Sequence, residues 1–230
     1  VSDAKARRLV LFDLDGTLID SEVGIVASLA HAFERIGATL PPREVLRTWI
    51  GPPFRQTFPS VLGDDEERIV AAIDHYRDRF ESVGWSEHAV YDGIAELIGA
   101  LAARGDALAI VTTKPVGQAR RIVDHMPFGA AFARVYGPED RHAHRPKSEM
   151  IAQALTDFGV AAAGTTMIGD RHFDMEGAHA NGVRAIGVAW GFGSIDELRD
   201  AGADVIAQAP AALAFELEVE LDEKADAAAK

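Results

Sequence analysis

Short apolar runs alternate with segments of helical period along much of this chain, and no other feature limits its fold as strongly. Ile94, Leu97, Ile98 and Leu101 recur at helical spacing up to Gly105, and residues 107–111 then read as a short buried strand. Pro115 opens a helix carrying Val116, Ala119, Ile122 and Val123, followed by a strand at 132–136. Residues 148–158 form a helix with Ile151 and Leu155 inward. Residues 165–168 form a strand, 175–180 a helix and 185–188 a strand. With a first strand at 8–13, this repetition predicts an α/β fold: a Rossmann-like, mostly parallel sheet with helices on both faces.

Residues 20–89 interrupt the pattern. Val23, Val26, Leu29, Ala30, Phe33 and Ile36 mark one helix, stopped by Gly37 and by Pro41 and Pro42; residues 45–50 mark a second. Ile69, Val70, Ile73, Tyr76, Phe80 and Val83 mark a long third. An all-helical insertion after the first strand reads as a separate cap over residues 20–89, with the core formed by 1–19 and 90–230. The hinges fall near residues 19–22 and 90–93.

The first strand ends in LFDLDGT, which places Asp13 and Asp15 at its carboxyl end, where open α/β sheets bind ligands. Gly16 permits the sharp turn that follows. Two carboxylates there can hold a hard cation while one attacks or moves a proton; a solvated turn with Asp15 capping the next helix is the plainer alternative. The strand at 107–111 ends in Thr112 and Thr113 beside a helix start, where hydroxyl and backbone N–H groups can hold an oxyanion. Lys147 opens the helix KSEMI and offers a compact positive charge for phosphate. The strand at 165–168 runs into GDRHFD, with Asp170 just past its end and Asp174 four residues on. Asp174 reads equally as an N-cap. Several carboxylates facing one edge are unfavourable without a cation, and Mg2+ suits oxygen ligands of this kind.

Composition narrows the partners. A net charge of -13 opposes general nucleic-acid binding, while small anions stay accessible if local cations or a metal offset the field. The absence of cysteine removes disulfides, thiolate metal sites and thiol nucleophiles. The polar start VSDAKARR and the lack of a long apolar run predict no signal segment and no membrane span, hence a cytoplasmic address by default. Among eight histidines, His142 and His144 stand close together, but no third ligand completes a zinc set. The acidic end, with Glu216, Glu218, Glu220, Asp222 and Glu223, reads as solvated. Trp190 and Phe192 read as a packed edge loop.

The order D-x-D-G-T, strand ending in Thr, Lys, then G-D-x-x-x-D on successive strands resembles the haloacid dehalogenase-like hydrolases over nearly the whole chain. The resemblance implies an aspartyl-phosphate mechanism with Asp13 as nucleophile and Asp15 as general acid/base. Thr112 and Lys147 would be phosphoryl ligands, with Mg2+ held among Asp13, Asp15, Asp170 and Asp174. Many relatives carry Asn where Thr113 stands, and a proline where Ser148 follows the lysine, which leaves Arg145 and Lys114 as alternatives to Lys147. The presence of Asp15 points to a phosphatase over a dehalogenase, and the lack of lysine in residues 20–89 argues against Schiff-base chemistry. WIGPPFRQTF and VAWGFGSIDELRDAGAD resemble phosphoglycolate phosphatases and the 5'-nucleotidase-like enzymes. On that basis Arg55 and Thr113 are expected to contact substrate, Arg55 by pairing with a carboxylate such as that of phosphoglycolate. Gly51, Pro52 and Pro53 are expected to shape their loop without touching anything. The readings are a phosphoglycolate phosphatase first, then a 5'-nucleotidase-like or broad phosphatase, then a phosphosugar mutase. A phospho-receiver would have no reason for the cap. A monomer or homodimer is expected.

Overall fold

Residues 8–139 and 145–221 are described in the computed structural model. The first strand, β1 (Leu9–Phe12), is apolar throughout because it is covered on both faces. Its side chains are at most 2% exposed, each contributing about 1.5–3 kcal/mol of burial for a large apolar group. β1 forms the centre of a six-stranded parallel sheet with β4 (Ala107–Val111), β5 (Phe132–Tyr136), β6 (Thr165–Gly169), β7 (Arg184–Val188) and β8 (Val205–Ala207), in the order β5-β4-β1-β6-β7-β8. Leu9 lies beside Ala107 on one side and Thr165 on the other. The strand order reverses around β1, so the carboxyl ends of β4, β1 and β6 border one crevice.

Helices α6 (Ile94–Arg104), α7 (Val116–His125), α8 (Lys147–Phe158), α9 (His172–His179), α10 (Ile195–Asp200) and α11 (Pro210–Glu216) connect or flank these strands. In α6 the inward residues are Ile94, Leu97, Ile98 and Leu101, as the periodicity requires, and Gly105 ends the helix at a φ of 89°. The helix expected at 175–180 begins earlier, at His172, because Asp174 accepts the backbone N–H of Arg171 and secures the first turn. Asp174 is thus the third helical residue and not the N-cap.

Between β1 and β4 the chain passes through β2 (Ile19–Asp20), then α1 (Glu22–Arg35), α2 (Arg43–Thr48), α3 (Phe54–Thr57), α4 (Pro59–Leu62) and α5 (Glu66–Ser82), and returns through β3 (Ala89–Val90). β2 and β3 pair antiparallel, so the helical insert leaves and rejoins the sheet side by side. The second helix starts and stops two residues before the expected 45–50, and α3 and α4 add two short turns, each introduced by proline at Pro53 or Pro59. Asp65 caps α5 by accepting the Arg68 N–H at 3.1 Å. One apolar cluster runs from Val10 and Phe12 of the sheet through Phe33, Phe58 and Phe80 of the insert, so the two are packed together.

The acidic end is not wholly solvated. Leu213, Ala214 and Leu217 are buried, while Glu216 and Glu218 receive Arg184 and Arg8 at 2.5 and 2.7 Å. Apolar residues interleaved with the acids dock the segment, and arginines from the core neutralise it. Asp222 and Glu223, like His142 and His144, lie outside the described residues. Among the described residues no helix is long and apolar enough to cross a membrane.

Candidate active site

The strand ends deliver the charged residues to one place. Asp13 follows β1 and its N–H donates to the Ile168 carbonyl at 2.9 Å; Thr112 follows β4 and its N–H donates to the Tyr136 carbonyl at 3.0 Å; Asp170 follows β6. Lys147, first residue of α8, is buried with its ammonium 2.9 Å from Asp13 Oδ1 and bonded to Asp174 Oδ1. Gly16 turns at a φ of 81°, and a side chain there would overlap the Asp170 carboxylate. Asp170 accepts the Phe192 N–H at 2.7 Å and the Thr17 hydroxyl at 3.4 Å. Trp190 of the same loop donates its indole N–H to the Thr17 carbonyl at 3.1 Å. The loop expected only to pack therefore also fixes a site carboxylate through its backbone.

Asp13, Asp170 and Asp174 are all buried, and one oxygen of each lies within 4.8 Å of the others. Burial pushes the Asp13 carboxyl up to about 6, opposed by the Lys147 charge and assisted by Asp174 and Asp15. Burial, with the charges of Asp13 and Asp174, pushes Asp170 up to about 8. Lys147 is held above its ordinary range by the same carboxylates, which outweigh its own desolvation. One ammonium facing three buried carboxylates leaves a negative excess. A divalent cation fits this donor set. Asp15 lies outside that cluster: its Oδ2 is 3.2 Å from the Lys114 ammonium, and its Oδ1 is buried without a hydrogen-bond partner.

Because Asp13 and Asp170 bind protons more tightly folded than unfolded, the metal-free protein is expected to lose stability as pH rises from about 5 to 8. The lowered carboxyls Glu22, Glu87 and Glu197 act in the opposite sense, but only at more acidic pH. Mg2+ competes with the same protons. The rise in Tm on adding Mg2+ is expected to be greater at pH 8 than at pH 5.5; scanning calorimetry showing an equal rise at both would count against the cluster as the metal site.

A cavity of about 290 Å³ opens onto these groups between the sheet edge and the insert. Asp13, Asp15, Thr112 and Lys114 form its floor, and Trp49, Phe54, Ile73 and Tyr76 form much of its wall. Gly51, Pro52 and Pro53 also line it, contrary to expectation, because the insert folds down upon the sheet. Thr113 donates its hydroxyl to the Gly51 carbonyl at 3.1 Å, and Arg171 donates to the Ile50 carbonyl, so both bridge sheet and insert. Gly51 has a φ of 108°, and a Cβ there would stand 3.2 Å from the Arg171 guanidinium. Arg55 lines the cavity but is half exposed and paired with Glu66. Arg145 lines it too, bonded to Gln153 at 2.6 Å.

The family model of haloacid dehalogenase-like hydrolases matches residues 10–188. The chain belongs to the haloacid dehalogenase-like hydrolases. Within this family it is 46% identical over 190 residues to a 5'-nucleotidase of Pseudomonas aeruginosa, covering 83% of this chain and 86% of that protein. It is 34% identical to the tyrosine-protein kinase PtkA of Mycobacterium tuberculosis, over 90% of this chain and 71% of the other. The crystal structure of a predicted phosphatase from Clostridium acetobutylicum superposes with a TM-score of 0.85 at 34% identity, covering 93% and 99% of the two chains. This hydrolase is a phosphatase acting on phosphoric monoesters.

Some residues of the hydrolase site carry no local signal in the sequence. Arg171 stands between two singled-out aspartates in GDRHFD, yet nothing local marks its reach to the insert. Glu197 holds Arg171 at 2.8 Å and the His172 N–H at 3.0 Å, a contact visible only once α10 folds back. Tyr76 belongs to the apolar helical face of its helix and also borders the cavity, where burial and the Asp15 charge hold its hydroxyl above the ordinary range.

Proposed function

We propose that this hydrolase is a Mg2+-dependent phosphatase whose substrates are phosphate monoesters with an uncharged, ring-bearing leaving group, of which nucleoside 5'-monophosphates are the best-fitting class. The observation that carries this reading is the cavity wall. Trp49, Phe54, Ile73 and Tyr76 offer apolar and aromatic surface to the same cavity that Asp13 and Asp15 line. Its volume stands at the lower end of the roughly 300–1,000 Å³ of small-ligand sites. Arg55 and Arg77, the insert's cations at the cavity, are faced by Glu66 and Asp74. A substrate carboxylate would have to displace such a partner, which favours an uncharged leaving group over phosphoglycolate. The 5'-nucleotidase relative supports the same choice.

In the proposed mechanism Asp13 attacks phosphorus; its oxygen–phosphorus bond forms as the bond to the leaving oxygen breaks. Asp15 gives that oxygen a proton, leaving as an alcohol. Asp15 then takes a proton from water, which attacks the phosphorus of the aspartyl-phosphate, releases inorganic phosphate and restores Asp13. Lys147 holds Asp13 in place and offsets repulsion between carboxylate and phosphate, and the Thr112 hydroxyl holds a phosphoryl oxygen. Mg2+ held by Asp13, Asp170 and Asp174 would supply further neutralisation of phosphoryl charge when bound. The helical insert acts as a cap, excluding bulk water while Thr113 and Arg171 are bonded to it.

Phosphate release with Mg2+ tests the substrate reading, with a chelator control. Nucleoside 5'-monophosphates are expected to show kcat/KM at least about 10-fold above 2-phosphoglycolate, hexose phosphates and pyrophosphate. Dominant activity on 2-phosphoglycolate, lost in Arg55→Ala, would overturn it in favour of a carboxylate pairing with Arg55. Isomerised hexose phosphate without phosphate release would point to a mutase.

A further inference from the structure

Two buried lysines enter the site, and they are divided between the two aspartates of the DLD motif. Lys147 meets Asp13, while Lys114 meets Asp15. The Lys114 ammonium is fixed from a second direction: it lies 4.3 Å from the ring centroid of Phe80, a fully packed residue of α5 in the insert. Phe80 in turn stacks on Tyr76 with centroids 5.6 Å apart, and Tyr76 meets Phe54 edge to face at 4.5 Å. The Lys114 N–H donates to the Thr112 hydroxyl at 3.2 Å, so the same residue also fixes a floor group of the cavity.

We infer that Lys114, clamped between Phe80 and Asp15, is a positioning residue for proton transfer: it anchors Asp15 through Oδ2 and leaves Oδ1 as the oxygen that exchanges a proton with the leaving group and with water. The inference rests on the proposed acid/base role of Asp15. Its physical basis is the asymmetry of that carboxylate. Oδ2 has the ammonium at 3.2 Å, whereas Oδ1 is buried on a residue lining the cavity and has no hydrogen-bond partner. A carboxyl free to rotate would present either oxygen in several directions; a carboxyl tethered at one oxygen presents the other in one. The lysine is 7% exposed and pinned by an aromatic face, so its position is set by the insert as well as by the sheet. Proton delivery at Asp15 is thereby tied to the insert being packed down. With the insert lifted, Phe80 leaves Lys114 and the tether loosens.

The balance of the step distinguishes this role from phosphoryl binding. A group that helps Asp15 deliver a proton matters most when the departing oxygen is strongly basic, as in an alkyl ester, and least when it is stable as an anion, as in p-nitrophenol. The test is single-turnover release of the leaving group, which precedes water attack, from a nucleoside 5'-monophosphate and from p-nitrophenyl phosphate, with Mg2+ present. Lys114→Met is expected to slow the alkyl ester by about 100-fold or more and the nitrophenyl ester by less than about 10-fold. Lys114→Arg is expected to recover part of the alkyl rate, and Phe80→Leu, which leaves the lysine in place, to show the same selectivity at smaller size. Phe80→Leu also keeps the test decisive should Lys114→Met fail to fold, as read by circular dichroism. Equal loss on both esters would overturn the proposal and make Lys114 a phosphoryl ligand, and unchanged rates on both would overturn it outright. Asp15→Asn is the reference: selectivity in Asp15→Asn without selectivity in the Lys114 and Phe80 variants sinks the inference alone, whereas a lack of selectivity in Asp15→Asn itself sinks the acid/base reading beneath it.

Discussion

Asp13→Asn is expected to abolish turnover, by on the order of 10⁴-fold or more, while leaving a folded protein. The amide is nearly the same size and lacks the nucleophilic carboxylate. Its effect on stability has the opposite sign from most changes in a buried site. Asp13 is a buried acid whose carboxyl is pushed up to about 6 and which shares its surroundings with Asp170 and Asp174, so at neutral pH its ionised form is held against desolvation and like charge. Removing that charge ends its own desolvation cost and its repulsion with Asp170 and Asp174, while Lys147 keeps its bond to Asp174. The Tm of the metal-free variant is therefore expected to equal or exceed that of the wild type. Because Asp13 supplies one of the cluster's oxygens, the gain in Tm on adding Mg2+ is expected to shrink. Wild-type-like phosphate release from the variant would remove Asp13 from the nucleophile's role, and a collapsed circular dichroism spectrum would show that the residue is needed for folding first.

Lys147→Ala is expected to damage both activity and stability. The ammonium is 4% exposed and is the cation between Asp13 and Asp174. Its loss leaves those carboxylates buried without compensation, a change that typically costs about 3–5 kcal/mol. The expected fall in Tm is on the order of 10 °C at pH 8. It should be smaller at pH 5.5, where protonation of the released carboxyls substitutes for the missing charge, and smaller with Mg2+ than without it. Turnover is expected to fall by about 10²–10³-fold, the range found for a lost electrostatic stabiliser of a transition state. Unchanged kcat/KM would move the phosphoryl-side charge to another residue. Lys114 would not be the natural heir, since it is committed to Asp15 and Phe80.

The sheet was legible because burial on both faces leaves a plain mark: LVLF, ALAIV and TTMIG could hardly be anything but interior strands once helices of clear period stand between them. The positions of Asp13, Thr112 and Asp170 followed from strand ends alone, since the carboxyl edge of a parallel sheet is fixed by chain direction. Lys147 was less legible because a helix-opening lysine is common on surfaces, and only the packing of α8 against α9 turns it inward. What the chain did not disclose depends on the angle between insert and sheet. Arg171 reaching Ile50, Thr113 reaching Gly51 and Phe80 covering Lys114 are contacts between segments far apart in sequence, with no local period or cap to announce them. Arg55 illustrates the converse. Its place in the loop WIGPPFRQTF was readable, but its partner Glu66, on the next long helix, was not. The docking of the acidic end likewise depended on Arg8, Arg104 and Arg184, which only the folded core gathers around Leu217 and its neighbours.

The pairing of Asp20 with Ala89 gives the insert the character of a cassette. Its two ends lie side by side on one narrow ribbon, so the stretch between them can be exchanged as a single piece of DNA without rerouting the sheet. Such an exchange replaces Trp49, Phe54, Ile73 and Tyr76 together and leaves Asp13, Asp15, Lys147 and Asp170 where they are. Most of the leaving-group wall thus lies on one stretch of the gene and most of the phosphoryl chemistry on another, with Phe80 the exception: an exchanged insert keeps proton delivery at Asp15 only if it again brings an aromatic ring to Lys114.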